Sequence, residues 1–510
     1  MCGSRSWLLL SRVAESVVFV ANDLALLTSW HDSWSDLDVV IFGLGKTGFS
    51  AADTLAELGA RVTVVTDSAD DLHLSMCDVL GIDVVLSSPE SPVPDRISAG
   101  TFDVGVVSPG YPPTHPLITW AGERGIPLWT DVDLAWRLRD KVGPPAQWIL
   151  VTGTNGKTTT TQLVSHMLAH AGFRVAPCGN IGVPVLDAIR HPEGFDFFVV
   201  ELSSYQLHYM GPIWPQSAVC LNLAEDHLDW HGSLEAYALA KAKVYANVSV
   251  ACVYNKSDEA TLRMVELAEV VEGARAIGFD LGVPGMSDLG VVEGVLCDRA
   301  FLDDRHERAI ELTTVEELAE RGLDSPHMVS NVLAASALAR AAGVSAEDIS
   351  DALALFTVDA HRHQVVARYD DVTWIDDSKA TNPHAAEAAL RAHQSIIWIL
   401  GGLLKGVEVD GLISGYASRL KAAVVIGSER QVILDAFARH APEVPVFEVL
   451  ATETSDVMPR AVEIASQLAV AHDVILLAPA AASMDQFTDY AHRGDLFVKA
   501  VKAQIGGVDE

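Results

Sequence analysis

The stretch Trp148-Ile-Leu-Val151-Thr-Gly153-Thr-Asn155-Gly156-Lys157-Thr158-Thr159 decides how this chain is read. An apolar run leads into a glycine-rich turn, and Gln162 to His170 beyond it has helical character. Strand, glycine loop and helix in that order gather backbone N–H groups and a helix N-terminus around phosphate oxygens. A lysine then reaches the outer phosphates and a hydroxyl reaches Mg2+. The usual spacing wants an outer glycine where Val151 stands; the nearest is Gly153, so the loop is a shortened GxxGKT form. The expectation is phosphate binding by residues 153–159, set against the plain alternative of a chance GKT string.

A second glycine loop lies upstream. Leu37-Asp-Val-Val-Ile-Phe42 reads as a buried strand and runs into Gly43-Leu-Gly45-Lys46-Thr47-Gly48, a helix to Leu58, and a strand from Arg61 to Val65 followed by Asp67. This is a βαβ unit with GxGxxG and an acidic residue about twenty positions on. Such glycines let any pyrophosphate approach a helix N-terminus, so a nicotinamide dinucleotide, another diphosphate such as a UDP-sugar, and a merely structural turn all remain open. Val104 to Val107 gives a further strand ending at Ser108-Pro109-Gly110, and Gly143-Pro-Pro145 breaks the pattern.

Downstream, apolar runs at Phe195 to Val200, Ser217 to Leu221 and Val250 to Tyr254 alternate with helical segments, and Leu281 to Leu323 reads as a peripheral hairpin set. Further strands are expected at Thr373 to Ile375, Ile396 to Leu400, Ala422 to Ile426 and Val474 to Leu477. The fold class is therefore α/β in three domains with largely parallel sheets: a Rossmann-like domain over 37–146, a P-loop-type ATPase domain over 147–360 and a Rossmann-like domain over 361–510. Residues 1–36 form an extension of unread role. Its apolar pieces are broken by Arg12 and Glu15, which fits a signal peptide poorly, and no run reaches membrane-spanning length.

The 510 residues hold 35 Lys and Arg against 68 Asp and Glu, a formal charge of −33. Such a chain repels a nucleic-acid backbone, so no nucleic-acid partner is expected. Six cysteines without metal spacing read as free thiols of a reducing cytoplasm.

Polar residues gather at strand ends. Glu201 closes an apolar run and is placed to hold Mg2+, or is an ordinary strand-end carboxylate. Asn222-Leu-Ala-Glu225-Asp226-His227-Leu-Asp229 offers a second metal or substrate contact. Lys241 lies on a helical segment, where a solvated surface lysine is the plain reading. As an ammonium it would repel Mg2+, so a metal role requires carbamylation. Asp376-Asp377-Ser378-Lys379-Ala380-Thr381-Asn382, Gly401-Gly402-Leu-Leu-Lys405-Gly406 and Pro479-Ala-Ala-Ala-Ser483-Met-Asp485 are loops where α/β domains place ligand contacts.

From Leu37 onward these motifs together resemble the Mur ligases, most closely the branch that adds D-glutamate. The landmarks in order are GLGKTG, SPG, GTNGKTT, GNIG, ELSSYQL, NLAEDHLD, YALAK, HMVSN, AHRH, DDSKATN, GGLLKG and SMDQF. The resemblance implies an ATP-dependent ligase joining D-glutamate to UDP-N-acetylmuramoyl-L-alanine (UDP-MurNAc-L-Ala) through an acyl phosphate. It implies UDP-sugar binding in the first domain, ATP binding in the second and amino-acid binding in the third. Lys157, His227, Lys241 and Lys379 are then catalytic. ATP is held by Gly153, Thr154, Asn155, Gly156, Lys157, Thr158 and Thr159 with Asn331, Arg362 and Asp377. Lys46, Thr47, Asp67, Ser68, Gly110, Asn180 and Ser203 take the UDP-sugar, and Thr381, Lys405, Ser483 and Tyr490 take D-glutamate. Two Mg2+ sites are implied, one on Thr158 and Glu201, the other on His227 and a carbamylated Lys241. A cytoplasmic monomer acting on small molecules, without membrane or nucleic acid, is expected.

The chain departs from the family at Ala69, where an arginine is common, at Met328, where a second asparagine is common, and at Lys46 and Tyr490, which replace apolar residues or Phe. These positions bear on ligand affinity more than on the reaction. A sister ligase for another amino acid, an NAD-dependent oxidoreductase and a non-catalytic nucleotide switch are the alternatives.

Overall fold

The computed structural model describes residues 24–451 and 453–506. The chain folds as two compact units. One takes the chain up to Leu221 together with Leu239–Glu316 and Ser330–Leu355; the other takes Asn222–Ala238, Glu317–Val329 and the chain from Phe356 on.

The first unit carries two sheets. Five parallel strands, β1 (Asp38–Phe42), β2 (Arg61–Thr66), β3 (Asp83–Leu86), β4 (Val104–Val107) and β5 (Leu128–Trp129), stand in the order β3-β2-β1-β4-β5. The order reverses beside β1, which opens a crevice at the strand C-termini where ligands of such sheets bind. Val39–Phe42 are wholly buried, as the unbroken apolar run requires of a strand covered on both faces. Helix starts are capped locally: Asp70 accepts from the His73 N–H, and Thr130 with Asp133 forms a capping box.

The second sheet has nine strands in the order β14-β13-β12-β11-β10-β9-β6-β8-β7. These are β6 (Gln147–Thr152), β7 (Val175–Gly179), β8 (Phe197–Glu201), β9 (Ser217–Cys220), β10 (Ala251–Asn255), β11 (Arg275–Phe279), β12 (Asp288–Val292), β13 (Val295–Asp298) and β14 (Ile310–Thr314). The expected hairpin set is the antiparallel edge formed by β12, β13 and β14. The opposite edge, β7, was not legible in the sequence because Pro177 sits within it; an edge strand tolerates the missing donor.

The segment from Leu24 to Asp36, read as an extension, packs onto this unit. Arg137 donates to the carbonyls of Leu24 and Leu27, the Trp30 N–H bonds to Asp140, and buried Trp34 meets Trp129 edge-on at 6.3 Å. The rest of that extension, residues 1–23, lies outside the described residues.

The second unit is built on six strands, β15 (Gln364–Tyr369), β16 (Val372–Asp376), β17 (Ile396–Gly401), β18 (Leu420–Ile426), β19 (Val446–Glu448) and β20 (Val474–Leu477), in the order β15-β16-β20-β17-β18-β19. Only β15 runs antiparallel to its neighbour. Apolar clusters cover both faces, one around Trp398 and Phe437, the other around Trp374, Val462 and Phe497.

Gly48, the third glycine of the upstream loop, lies where a Cβ would stand 2.1 Å from the Gly43 carbonyl oxygen. Gly48→Ala must push the helix Lys46–Glu57 off β1, an overpacking cost of about 1–3 kcal/mol. Urea unfolding should show a lowered midpoint, whereas Gly45→Ala, with nothing within 4 Å of its added Cβ, should leave that midpoint near wild type.

Candidate active site

In the first unit, β6 delivers the chain to Gly153, whose φ of 152° and close approach to Leu221 leave no room for a side chain. Gly156, at φ 85°, is the N-cap of the helix Lys157–His170 and has no side-chain cap, so the first N–H groups of that helix face the loop. Asn331 seals the far side: its Oδ1 lies 2.4 Å from where a Cβ on Gly156 would be. Lys157 Nζ folds back onto the carbonyls of Gly153 and Thr154, both at 2.8 Å. Thr158 and Thr159 are buried, and the Thr159 hydroxyl has no partner.

The strand register brings Glu201 to this loop. β6 and β8 pair Val151 with Glu201, two residues before Gly153, and β7 pairs Gly179 with Glu201 on the other side. Asn180, the next residue along, donates from Nδ2 to Glu201 Oε1 at 2.9 Å. Glu201 is only 2% exposed, and its Oε2 is buried without a hydrogen-bond partner. An ionised carboxylate in that position calls for a cation. The donor set suits Mg2+: one carboxylate oxygen, the Thr158 hydroxyl at the start of the adjacent helix, and room for phosphate and water oxygens. Among the described residues no group of three His, Cys, Asp or Glu side chains is arranged for a metal, so such an ion would lean on its substrate.

Lys241 is not the solvated surface lysine of the plain reading. It is 1% exposed, and its ammonium donates to the Gly153 carbonyl at 2.9 Å and reaches the Thr152 hydroxyl at 3.4 Å. In this form it is a donor that braces the loop; only a carbamate would make it an oxygen ligand.

The first sheet contributes a further pocket edge. Gly43 (φ 97°) turns the chain out of β1, and Gly45 caps the helix that begins with Lys46 and Thr47. Asp67 and Ser68 are exposed at the end of β2, with the Ser68 hydroxyl 3.1 Å from Asp67 Oδ1, and Gly110 is exposed after β4. Tyr111 and His115 stand beside Asp67, their rings edge to face at 4.6 Å. Ser203 caps the helix Ser204–Tyr209 in a box with Gln206.

In the second unit, β16, β20 and β17 are adjacent and parallel, so the three polar loops that follow them emerge on one edge. Gly402 passes so close to Ala482 that a Cβ would meet its carbonyl oxygen at 2.0 Å. Arg493 was not singled out in the sequence, yet it ties the loops after β16 and β20 together. Fully buried, it donates to the Ser378 hydroxyl and carbonyl at 3.0 and 2.8 Å and to the Ala481 carbonyl at 3.1 Å. Burial lowers its guanidinium to about 9. Buried His361 bonds to Asp376 Oδ2 at 2.7 Å, while Asp376 Oδ1 accepts the Ser378 N–H.

Around this frame, Lys379 Nζ lies 3.7 Å over the Tyr490 ring, Ser483 is buried, and Thr381 follows on the same loop as Lys379. Lys405, held at φ 55°, comes to 3.5 Å from His227 Nδ1. With that ammonium at Nδ1, a cation on His227 would have to use Nε2, which lies 3.6 Å from Asp226 Oδ2, or displace Lys405. Asp377 accepts from the His363 N–H. Burial lifts its carboxyl to about 7, against the pull of that bond and of the Arg362 charge.

The chain matches the Mur ligase middle domain over residues 151–339 and the glutamate ligase domain of Mur ligases over 361–481. Its fold is shared by solved Mur ligases, among them UDP-N-acetylmuramate-alanine ligase MurC from Thermotoga maritima (20% identity, TM-score 0.54, covering 92% of this chain and 100% of that one). MurF from Acinetobacter baumannii gives 16% identity and a TM-score of 0.54, covering 93% of each chain. The chain belongs to the Mur ligase family. It is 61% identical, over 95% of its length and 96% of the relative's, to a UDP-N-acetylmuramoylalanine--D-glutamate ligase of Leifsonia xyli subsp. xyli. A ligase of the same name from Streptomyces coelicolor is 51% identical over 92% of this chain and 98% of the relative. The nicotinamide reading of the Gly43–Gly48 loop finds no support among these relatives.

Arg493→Met would strand the Ser378 and Ala481 carbonyls, a loss on the order of 2–6 kcal/mol for two buried acceptors. Chemical denaturation should report it as a loss of stability, and Arg493→Lys, with one donor group in place of a fork, should recover only part.

Proposed function

We propose that this protein joins D-glutamate to UDP-MurNAc-L-Ala with the hydrolysis of ATP to ADP and phosphate. The observation that carries the reading is its 61% identity, over nearly the whole of both chains, to a ligase named for that reaction. In this reading residues 37–146 receive the UDP-sugar, 147–360 the ATP and 361–510 the amino acid. The protein works in the cytoplasm as a monomer on small molecules. Among the described residues no helix is long and apolar enough to cross a membrane.

The substrate's alanine carboxylate attacks the γ-phosphorus of ATP, giving an acyl phosphate and ADP. The amine of D-glutamate then adds to the acyl carbon, loses a proton, and phosphate leaves as the amide forms. The first step brings a carboxylate against a triphosphate, and their repulsion is the main electrostatic barrier. Lys157 swings from the Gly153 and Thr154 carbonyls to the β- and γ-oxygens, while the helix N–H groups after Gly156 receive the phosphates. Asn331, Arg362 and Asp377 contact the rest of the nucleotide. Lys46, Thr47, Asp67, Ser68, Gly110, Asn180 and Ser203 hold the UDP-sugar; Thr381, Lys405, Ser483 and Tyr490 take the D-glutamate carboxylates, with Lys379 beside them.

Mg2+ bound at Thr158 and Glu201 would neutralise charge developing on the transferred phosphoryl group. A second ion would use His227 and Lys241, the latter only once carbamylated.

Phosphate release from ATP in the presence of UDP-MurNAc-L-Ala should depend on D-glutamate; indifference to it sinks the reading, and release driven by L-lysine or diaminopimelate moves it to a sister ligase. Lys157→Ala should lower the rate by about 100-fold or more. Thermal melting offers a second check: Mg2+ with ATP should raise the midpoint of the wild type and not that of Glu201→Gln.

A further inference from the structure

Asp131 is a carboxyl for which the reaction outlined above has no use. It opens the helix Asp131–Leu138, is 1% exposed, and has an Oδ1 buried without a partner. The Gln206 side chain bonds to it. Gln206 in turn accepts, at Oε1, the Ser203 N–H at 3.1 Å and the Ser203 hydroxyl at 3.2 Å. Near it stands the buried Cys178 thiol, two residues before Asn180, whose side chain holds Glu201. The carboxyl thus meets Gln206, which caps Ser203, and Cys178, two residues before Asn180.

Stability alone does not favour an acid here. A buried carboxylate with one oxygen unsatisfied and no cation beside it costs free energy that an isosteric amide would avoid. We infer that Asp131 is a positioning residue that, through Gln206, fixes the Asn180–Glu201–Ser203 corner for the UDP-sugar; this rests on the ligase reading above.

Burial raises the carboxyl to about 6, and the charge of Asp133 on its own helix adds to the rise. Cys178 faces it from β7. Arg137 on the same helix and Lys243 beyond it act on Asp133, while Asp187 bonds to Ser50, Asp53 and Glu57 pair with Arg190, and His208 lies beside Lys243. Because the folded value lies above the unfolded value of 3.8, the folded state binds this proton more tightly. The full cost of ionisation thus stands above about pH 6, and it is relieved as the pH falls from about 6 to 3.8.

The test compares Asp131→Asn with wild type in two measurements. Thermal midpoints should be higher for Asp131→Asn at pH 8, with the gap closing as the pH falls from about 6 toward 4. At pH 8 its KM for UDP-MurNAc-L-Ala should rise by about 10–100-fold while the KM for D-glutamate stays put. Gln206→Leu, in which the acid is kept and only the link removed, should show the same selective KM rise. A variant that keeps the wild-type KM overturns the inference, as does one that loses stability and activity together at pH 8, which would make the carboxyl merely structural. Wild-type protein without D-glutamate-dependent phosphate release overturns the ligase reading and the inference with it; an active wild type beside an unaffected Asp131→Asn overturns the inference alone.

Discussion

Negative charge is the constraint on which the rest of this structure depends. A chain of net charge −33 must hold phosphate and carboxylate groups that repel it and one another. At an effective dielectric of about 20, two unit charges about 4 Å apart differ by about 4 kcal/mol in going from attraction to absence, so a few local cations decide the matter. Each compact unit supplies its own. The first aims a helix N-terminus, Lys157 and buried Lys241 at one glycine loop; both lysines rest on the Gly153 carbonyl. The second carries Lys379, on a loop braced by Arg493, together with Lys405 and Arg362.

Backbone proximity is how those cations are brought to bear. At Gly153 and Gly156 the chain adopts positive φ with neighbours too close for a side chain, and Gly402 does the same against Ala482. A loop without side chains lets N–H groups, rather than carbon, face a ligand. The cost of such tight turns is carried by the sheets behind them, whose central strands are mostly buried.

Much of this was legible in the sequence, and for physical reasons. Gly153-Thr-Asn-Gly156-Lys157 declares itself because glycine, lysine and hydroxyl must recur at fixed offsets to serve a phosphate. The central strands declare themselves because burial on both faces demands unbroken apolar runs, as in Ile396–Leu400. What escaped was whatever depends on contacts between distant positions. The edge strands β3, β7, β15 and β19, and β11 beside the hairpin set, are short or only partly buried, and so lack a strong pattern. Lys241 reads as a surface lysine until the fold places it under the phosphate loop. Arg493 and Asp131 look like ordinary helix residues, since nothing near them in the chain names Ser378 or Gln206 as partners. The chemistry of the landmarks was visible, whereas the buried groups that hold them in place were not.

The strand order of the last sheet carries a consequence for how the protein is made. β20, the last strand among the described residues, sits between β16 and β17, and the helix that follows it contributes Arg493. While a ribosome is still producing the chain, β16 and β17 have no strand between them and their apolar flanks stay open. Parallel pairing across such long sequence separations is slow, and exposed strand edges invite aggregation. This unit can therefore close its sheet only after β20 has been made, long after the strands on either side of it.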